Sequence, residues 1–181
     1  MIRRKACFRK RDLKTAARLL KKVSLNIRPG VDHPIPAELY EPLHGVVTYP
    51  AIDAVIFDGN GRFLMMKRDD KYFTGWELVG GYSHRYDGHP KEWLNRLAER
   101  DIGARVKLKG FVGIHMWPPG EHAHGVPISL VAVGYLAQKP TKNLERIRLF
   151  RRLPKNVVPN HANFVKVARR ALLTGRIIPA I

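Results

Sequence analysis

The sequence predicts an α+β fold, a mixed sheet with helices packed against it, and three observations carry the prediction. Two apolar runs flank a tetrad of turn formers, an amphipathic segment framed by proline and glycine follows, and two longer strand-like runs precede a last amphipathic segment. In the first of these, Ala51–Phe57 and Arg62–Lys67 enclose Asp58-Gly59-Asn60-Gly61, which is a β-hairpin signal. The stretch Gly75-Trp76-Glu77-Leu78-Val79-Gly80-Gly81 then leads into a loop. From Pro90 to Ile102 a helix is expected, with proline in its first turn, Trp93, Leu94 and Leu97 on its apolar side and Gly103 just past its end. Strands at about 105–116 and 127–137 follow, joined through the loop Pro118–Gly125. A short strand near 147–150 and a helix over 161–174, with Asn160 as a candidate cap and Gly175 as the stop, complete the domain. There is no internal repeat.

Ahead of this domain, Pro29, Gly30, Pro34, Pro36, Pro42 and Pro50 argue for an extended connector, because proline fixes φ and breaks helices. Further upstream, Leu13, Ala16, Ala17, Leu20 and Val23 recur at helical spacing between Lys and Arg. Such a basic amphipathic helix has three uses: packing on the core, lying on nucleic acid, or serving as an organelle presequence. The expected division is therefore 1–46, a basic helix and Pro-rich extension, and 47–181, the sandwich with a basic C-terminal helix.

Charge follows the same division. The chain of 181 residues carries a net +18, and this excess sits at its ends. Residues 1–28 hold 11 basic and 1 acidic residue, 29–141 hold 12 and 13, and 142–181 hold 10 and 1. Basic ends of this kind attract polyanions such as RNA through phosphate neutralisation and counterion release, although a solvated helix face has the same composition. At 45% hydrophobic and 9% aromatic, the composition excludes wholesale disorder and collagen-like structure. The one cysteine, Cys7, has no partner for an internal disulfide and no neighbouring Cys or His for a zinc site. No apolar run approaches the roughly 18–20 residues of a membrane-spanning helix, so a soluble, cytoplasmic protein is expected.

The order of hairpin, Gly75-Trp76, Gly80-Gly81, loop, helix with Arg96, and Gly103 resembles the Nudix hydrolase family over residues 47–175. The family signature is G-x5-E-x7-R-E-U-x-E-E-x-G-U, with U apolar. Gly81, Arg96, Gly103 and Ala104 match it, with one residue more between Gly81 and Arg96. The positions of the three glutamates that normally carry the metal hold Leu97, Arg100 and Asp101. Within the family the chain is similar to GDP-mannose mannosyl hydrolases, which share Arg96-Leu97, align without a gap from Ile52 to Arg68, and have a stretch like His161-Ala162-Asn163. The metal-binding glutamine of those enzymes falls on Asn143, the general-base histidine on Leu144 and an active-site tyrosine on Leu130.

The resemblance implies a Nudix-type α/β/α sandwich and a metal-dependent hydrolase of a nucleoside diphosphate derivative, foremost a nucleotide sugar of GDP-mannose type. It implies Mg²⁺ (or Mn²⁺) held by the Gly81 carbonyl, the Asp101 carboxylate and the Asn143 amide oxygen, and it allows a homodimer. Asp53, Arg96 and Asp101 are the expected catalytic residues, and Arg68, Arg96 and Trp117 the expected substrate contacts. Arg68 and Arg96 suit the diphosphate because a guanidinium fork meets phosphate oxygens in pairs. For Arg96 the alternative is an ion pair with Asp101 or Glu99, for Asp53 a carboxylate that caps a loop, and for Trp117 or Tyr72 packing rather than base stacking. With Leu144 at the base position, His84, His115, His122 and His124 are the candidate substitutes, and the 122/124 pair also reads as an exposed polar loop. The rival reading is a catalytically impaired Nudix fold that uses its basic ends to bind RNA or a ribonucleoprotein.

Overall fold

The computed structural model describes residues 10–26, 39, 42–43, 47–84, 86–118, 121–122 and 125–180. Cys7, most of the proline-rich connector and His124 lie outside them. The chain divides into two compact units, Met1–Leu43 and His44–Ile181. In the first, α1 runs Lys10–Asn26 as the spacing predicts, and Leu13, Leu19 and Leu20 are exposed.

The second unit is a seven-stranded mixed sheet with helices α2 (Pro90–Ile102) and α3 (His161–Thr174). Its strands are β1 (Pro50–Phe57), β2 (Phe63–Asp69), β3 (Thr74–Glu77), β4 (Val79–Tyr82), β5 (Val106–Met116), β6 (Ile128–Leu136) and β7 (Ile147–Phe150). The order is β3-β2-β1-β6-β5, with β4 also on β1 and β7 also on β2. Among the strand pairs of the described residues β1 and β6 run parallel, from Pro50 against Ile128 to Phe57 against Tyr135, and the others are antiparallel. β1 is central and buried almost throughout, which explains its continuous apolar reading.

Side-chain alternation on β1 sorts the core into two layers. Ile52, Ala54 and Ile56 pack with Leu94, Leu97 and Ile102 of α2, whereas Val55 and Phe57 pack with Phe164, Val165 and Ala168 of α3. The expected sandwich is the observed fold. The Asp58–Gly61 turn also forms: the Asp58 carboxylate accepts from the Asn60 and Arg62 amides at 2.9 and 2.8 Å. Past Phe57 and Phe63, however, β1 and β2 diverge, and β1 takes β4 as its neighbour.

The Gly75–Gly81 stretch is therefore two strands rather than a lead-in to a loop. Glycines are poor strand formers, which hid them, yet Gly80 is required. A Cβ there lies 2.5 Å from Asp53 Oδ1 and 2.7 Å from the Ile52 carbonyl. Helix α2 is capped by His89, whose Nδ1 accepts from the Lys91 amide at 3.0 Å, and it ends at Gly103 in the left-handed region, φ 61°. Asn160 does not cap α3 with its side chain. It sits at φ 67° and donates its amide to Glu121 at 3.1 Å.

Candidate active site

Two groups of polar side chains lie on opposite faces of the sheet. On the α2 face, Arg68 of β2 donates from Nε to Asp70 at 2.6 Å and from Nη1 to Glu77 of β3 at 3.3 Å. Burial pushes the Glu77 carboxyl above its ordinary value, the nearby Asp101 charge adds to the push, and Arg68 and His161 offset it only in part. At the end of α2, Arg100 grips both carboxylate oxygens of Asp101, at 2.5 and 2.8 Å, and donates to the Gly80 carbonyl of β4 at 3.2 Å. Asn143 donates its amide nitrogen to the Asp101 backbone carbonyl at 2.7 Å.

One turn earlier, Arg96 forms a fork on Asp87, at 2.9 and 2.7 Å, and reaches the Tyr82 carbonyl at 3.0 Å. Neither Asp101 nor Glu99 is its partner. Glu99 pairs with Arg105, and Asp101 with Arg100. The Arg96 fork ties the loop after β4 to the helix, a positioning role that a lysine's point charge cannot reproduce.

On the α3 face, Asp53 is buried against His161, whose Nε2 lies 3.4 Å from Oδ1. The His161 Nδ1 accepts from the Leu78 amide at 3.0 Å, so the proton of the neutral ring is on Nε2 and points at Asp53. Burial works against the Asp53 charge, but bonds and charge from His161, helped by Ser129 and His122, outweigh it and hold the carboxyl below its ordinary value. Trp117 donates to Ser129 at 2.8 Å and is 3% exposed. It is a core residue here, ringed edge-on by His115, His122, His161 and Phe164, and is not open to stack a base.

The fold thus brings Arg68, Asp101, Gly81 and Asn143 to one face, with Arg96 beside them, and places Asp53 and Trp117 on the other. Leu144 is exposed, and Leu130 packs against the α2 core. Glu77 is the site residue that sequence reasoning missed. Its signal was a lone acid inside an apolar, glycine-framed run, which a half-buried strand explains equally well.

The residues expected to hold Mg²⁺ (or Mn²⁺) do not fit a divalent cation as they stand. Both Asp101 oxygens are engaged by a guanidinium, and Asn143 turns its nitrogen to a carbonyl. Among the described residues no three His, Cys, Asp or Glu side chains form a metal-ligand group. Nor is any helix of these residues long and apolar enough to cross a membrane.

No family model matches the chain. No curated protein matches it in sequence. Solved structures do match it in fold. A Nudix-family hydrolase from Clostridium perfringens superposes with a TM-score of 0.56 at 12% identity, covering 71% of this chain and 99% of that one. A MutT protein from Methanosarcina mazei Go1 gives 0.54 at 18%, covering 69% and 95%. The Nudix domain of Shewanella oneidensis NrtR, complexed with ADP ribose, gives 0.55 at 14%, covering 76% and 99%. At such identities the likeness establishes the shared α+β Nudix-type fold.

Proposed function

We propose that this chain is a Nudix-type hydrolase of nucleoside diphosphate derivatives, with a nucleotide sugar of GDP-mannose or ADP-ribose type as substrate. The observation that carries the reading is Glu77, a carboxyl pushed upward by burial and held between Arg68 and the Arg100–Asp101 pair. A base poised closer to neutrality than a free carboxylate is what water activation needs, and guanidinium groups beside it suit the diphosphate oxygens. The ADP ribose bound to the NrtR domain supports a sugar-linked diphosphate as the ligand class.

In this reading Glu77 takes a proton from water as the oxygen attacks. Attack at the sugar carbon breaks the sugar–oxygen bond and yields the nucleoside diphosphate and free sugar. Attack at phosphorus breaks the bridging phosphorus–oxygen bond and yields a nucleoside monophosphate and a sugar phosphate. Product analysis in ¹⁸O-labelled water separates the two. The magnesium requirement implied by the resemblance is not part of this reading, because the donor set described above does not suit it.

The test is hydrolysis of GDP-mannose and ADP-ribose, with and without Mg²⁺ or Mn²⁺, by the full chain and by Glu77→Gln. The expected result is turnover that falls by about 10²–10⁴ in kcat, with KM little changed, when the base is lost. Equal turnover by both proteins removes Glu77 as base, and silence across the panel removes the hydrolase reading.

The second reading, an RNA-binding module, is favoured by a different observation. Arg148, Arg151, Arg152, Lys155, Lys166, Arg170 and Arg176 are exposed on β7, the loop after it, α3 and the residue beyond its cap. Arg169 bonds the Arg151 carbonyl, which joins that loop to the helix. A homodimer belongs with these proposals.

A further inference from the structure

We propose that the Arg100 guanidinium takes the place of the divalent cation, so that the chain binds the diphosphate of its ligand without metal. The inference rests on the nucleoside diphosphate reading above and deepens it. Arg100 stands where the family signature has one of its metal-carrying glutamates. It takes up the oxygens of this corner, both from the Asp101 carboxylate expected to hold the ion and one from the backbone carbonyl of Gly80, next to Gly81. Its side chain is 29% exposed while that of Asp101 is 13% exposed, so the cation faces outward and its counter-charge lies beneath it.

The surroundings make metal redundant. The segment after β6 folds against the end of α2: the Thr141 amide donates to the Ile102 carbonyl at 3.0 Å, and the Asn143 side chain donates to the Asp101 carbonyl. This brings in two more cations. Lys142 donates to the Glu99 carbonyl at 3.0 Å, and Arg146 donates to the Lys67 carbonyl at 3.0 and 2.8 Å. Arg68 approaches from β2 through Glu77. Two guanidinium groups, Arg68 on Glu77 and Arg100 on Asp101, thus stand at this corner, positive charge that attracts a diphosphate and repels a further metal ion. Unlike a bound ion, a guanidinium is permanently charged and permanently present.

Two measurements on the full chain decide the matter. The first follows free Mn²⁺ by electron paramagnetic resonance in the absence of nucleotide, for wild type and Arg100→Glu. Wild type is expected to leave the Mn²⁺ signal unchanged, and Arg100→Glu, which sets a second carboxylate beside Asp101, to capture the ion. The second titrates GDP-mannose and ADP-ribose calorimetrically in EDTA and then in Mg²⁺, for wild type, Arg100→Ala and Arg100→Lys. Wild type is expected to bind equally in both buffers, Arg100→Ala roughly tenfold or more weakly, and Arg100→Lys in between, since it keeps the charge and loses the fork. Circular dichroism of each variant confirms that it is folded, and Arg100→Lys decides the question if Arg100→Ala is not.

Mn²⁺ capture by wild type, or nucleotide binding that requires Mg²⁺, overturns the proposal. So does binding in EDTA that is indifferent to Arg100→Ala, which reduces the contact with Asp101 to a structural ion pair. If neither nucleotide binds in either buffer, the hydrolase reading fails and takes metal-free diphosphate binding with it. The Mn²⁺ experiment then tells whether Arg100 still excludes a metal, which separates the two failures.

Discussion

Asp53, buried, and Glu77, half-buried, are two carboxylates driven in opposite directions by what faces them. Both lose water, but Asp53 is hydrogen-bonded by the His161 ring and Ser129, whereas at Glu77 the charges of Arg68 and His161 offset burial only in part and the Asp101 charge adds to it. Because the folded Asp53 lies below its ordinary value of 3.8, its ionised form contributes stability that is fully present above that value and lost as pH falls through the lower folded one. Urea unfolding across pH should therefore show a loss of stability below about pH 4 that Asp53→Asn flattens, while the same variant is less stable than wild type at neutral pH. An unchanged acid limb in Asp53→Asn removes the His161 pairing as its cause. For Glu77 the sign reverses, since a raised carboxyl is most at ease when protonated and costs stability once pH passes its folded value. The group proposed as base is thus held at a cost to the fold, a common bargain at active sites.

At the level of elements, β4 is the piece on which the site depends. It lies against β1 on one side and reaches α2 through the bonds that its Gly80 and Tyr82 carbonyls accept from Arg100 and Arg96. Its tight approach to β1 is possible because Gly80 has no side chain. Gly80→Ala should push against the Asp53 carboxylate and the Ile52 carbonyl and destabilise the chain by about 1–3 kcal/mol, read as a lower urea midpoint at neutral pH. A midpoint equal to wild type would mean that β4 has slack to move. The two ends of α2 and the last end of α3 were legible in advance through Pro90, Gly103 and Gly175, because these residues act on the backbone locally. The role of Asn160 was not, since Leu78, bonded by the His161 ring, and Glu121, both distant in sequence, decided how that corner is held.

For the whole molecule, charge and fold make separate statements. The sheet and its two helices account for the proposed nucleotide site, whereas the basic surface of β7 and α3 answers to the length and charge of a polyanion. Binding of single-stranded RNA, measured against salt, should give a log–log slope of about −0.7 per phosphate neutralised. Replacing Arg151, Arg152 and Arg170 with Gln should make that slope shallower by about two units while leaving nucleotide-sugar turnover intact. Binding that is weak and independent of salt would remove RNA as a partner of this face.

The sequence by itself determined the elements of this protein and their order, β3 and β4 excepted. The hairpin turn, the helix framed by Pro90 and Gly103, the paired long strands and the last helix all follow from periodicity and from residues with fixed backbone preferences. The tertiary structure alone decided which side chains meet. It put Asp53 and Asp101 on opposite faces, because that depends on the register of β1 against β4 and on which helix covers each face. It buried Trp117, drew Glu77 between Arg68 and Asp101, and set Arg100 on the carboxylate next to it in the chain. Local pattern encodes backbone shape within a few residues, whereas a site is made of contacts between residues far apart in sequence, and only packing chooses those.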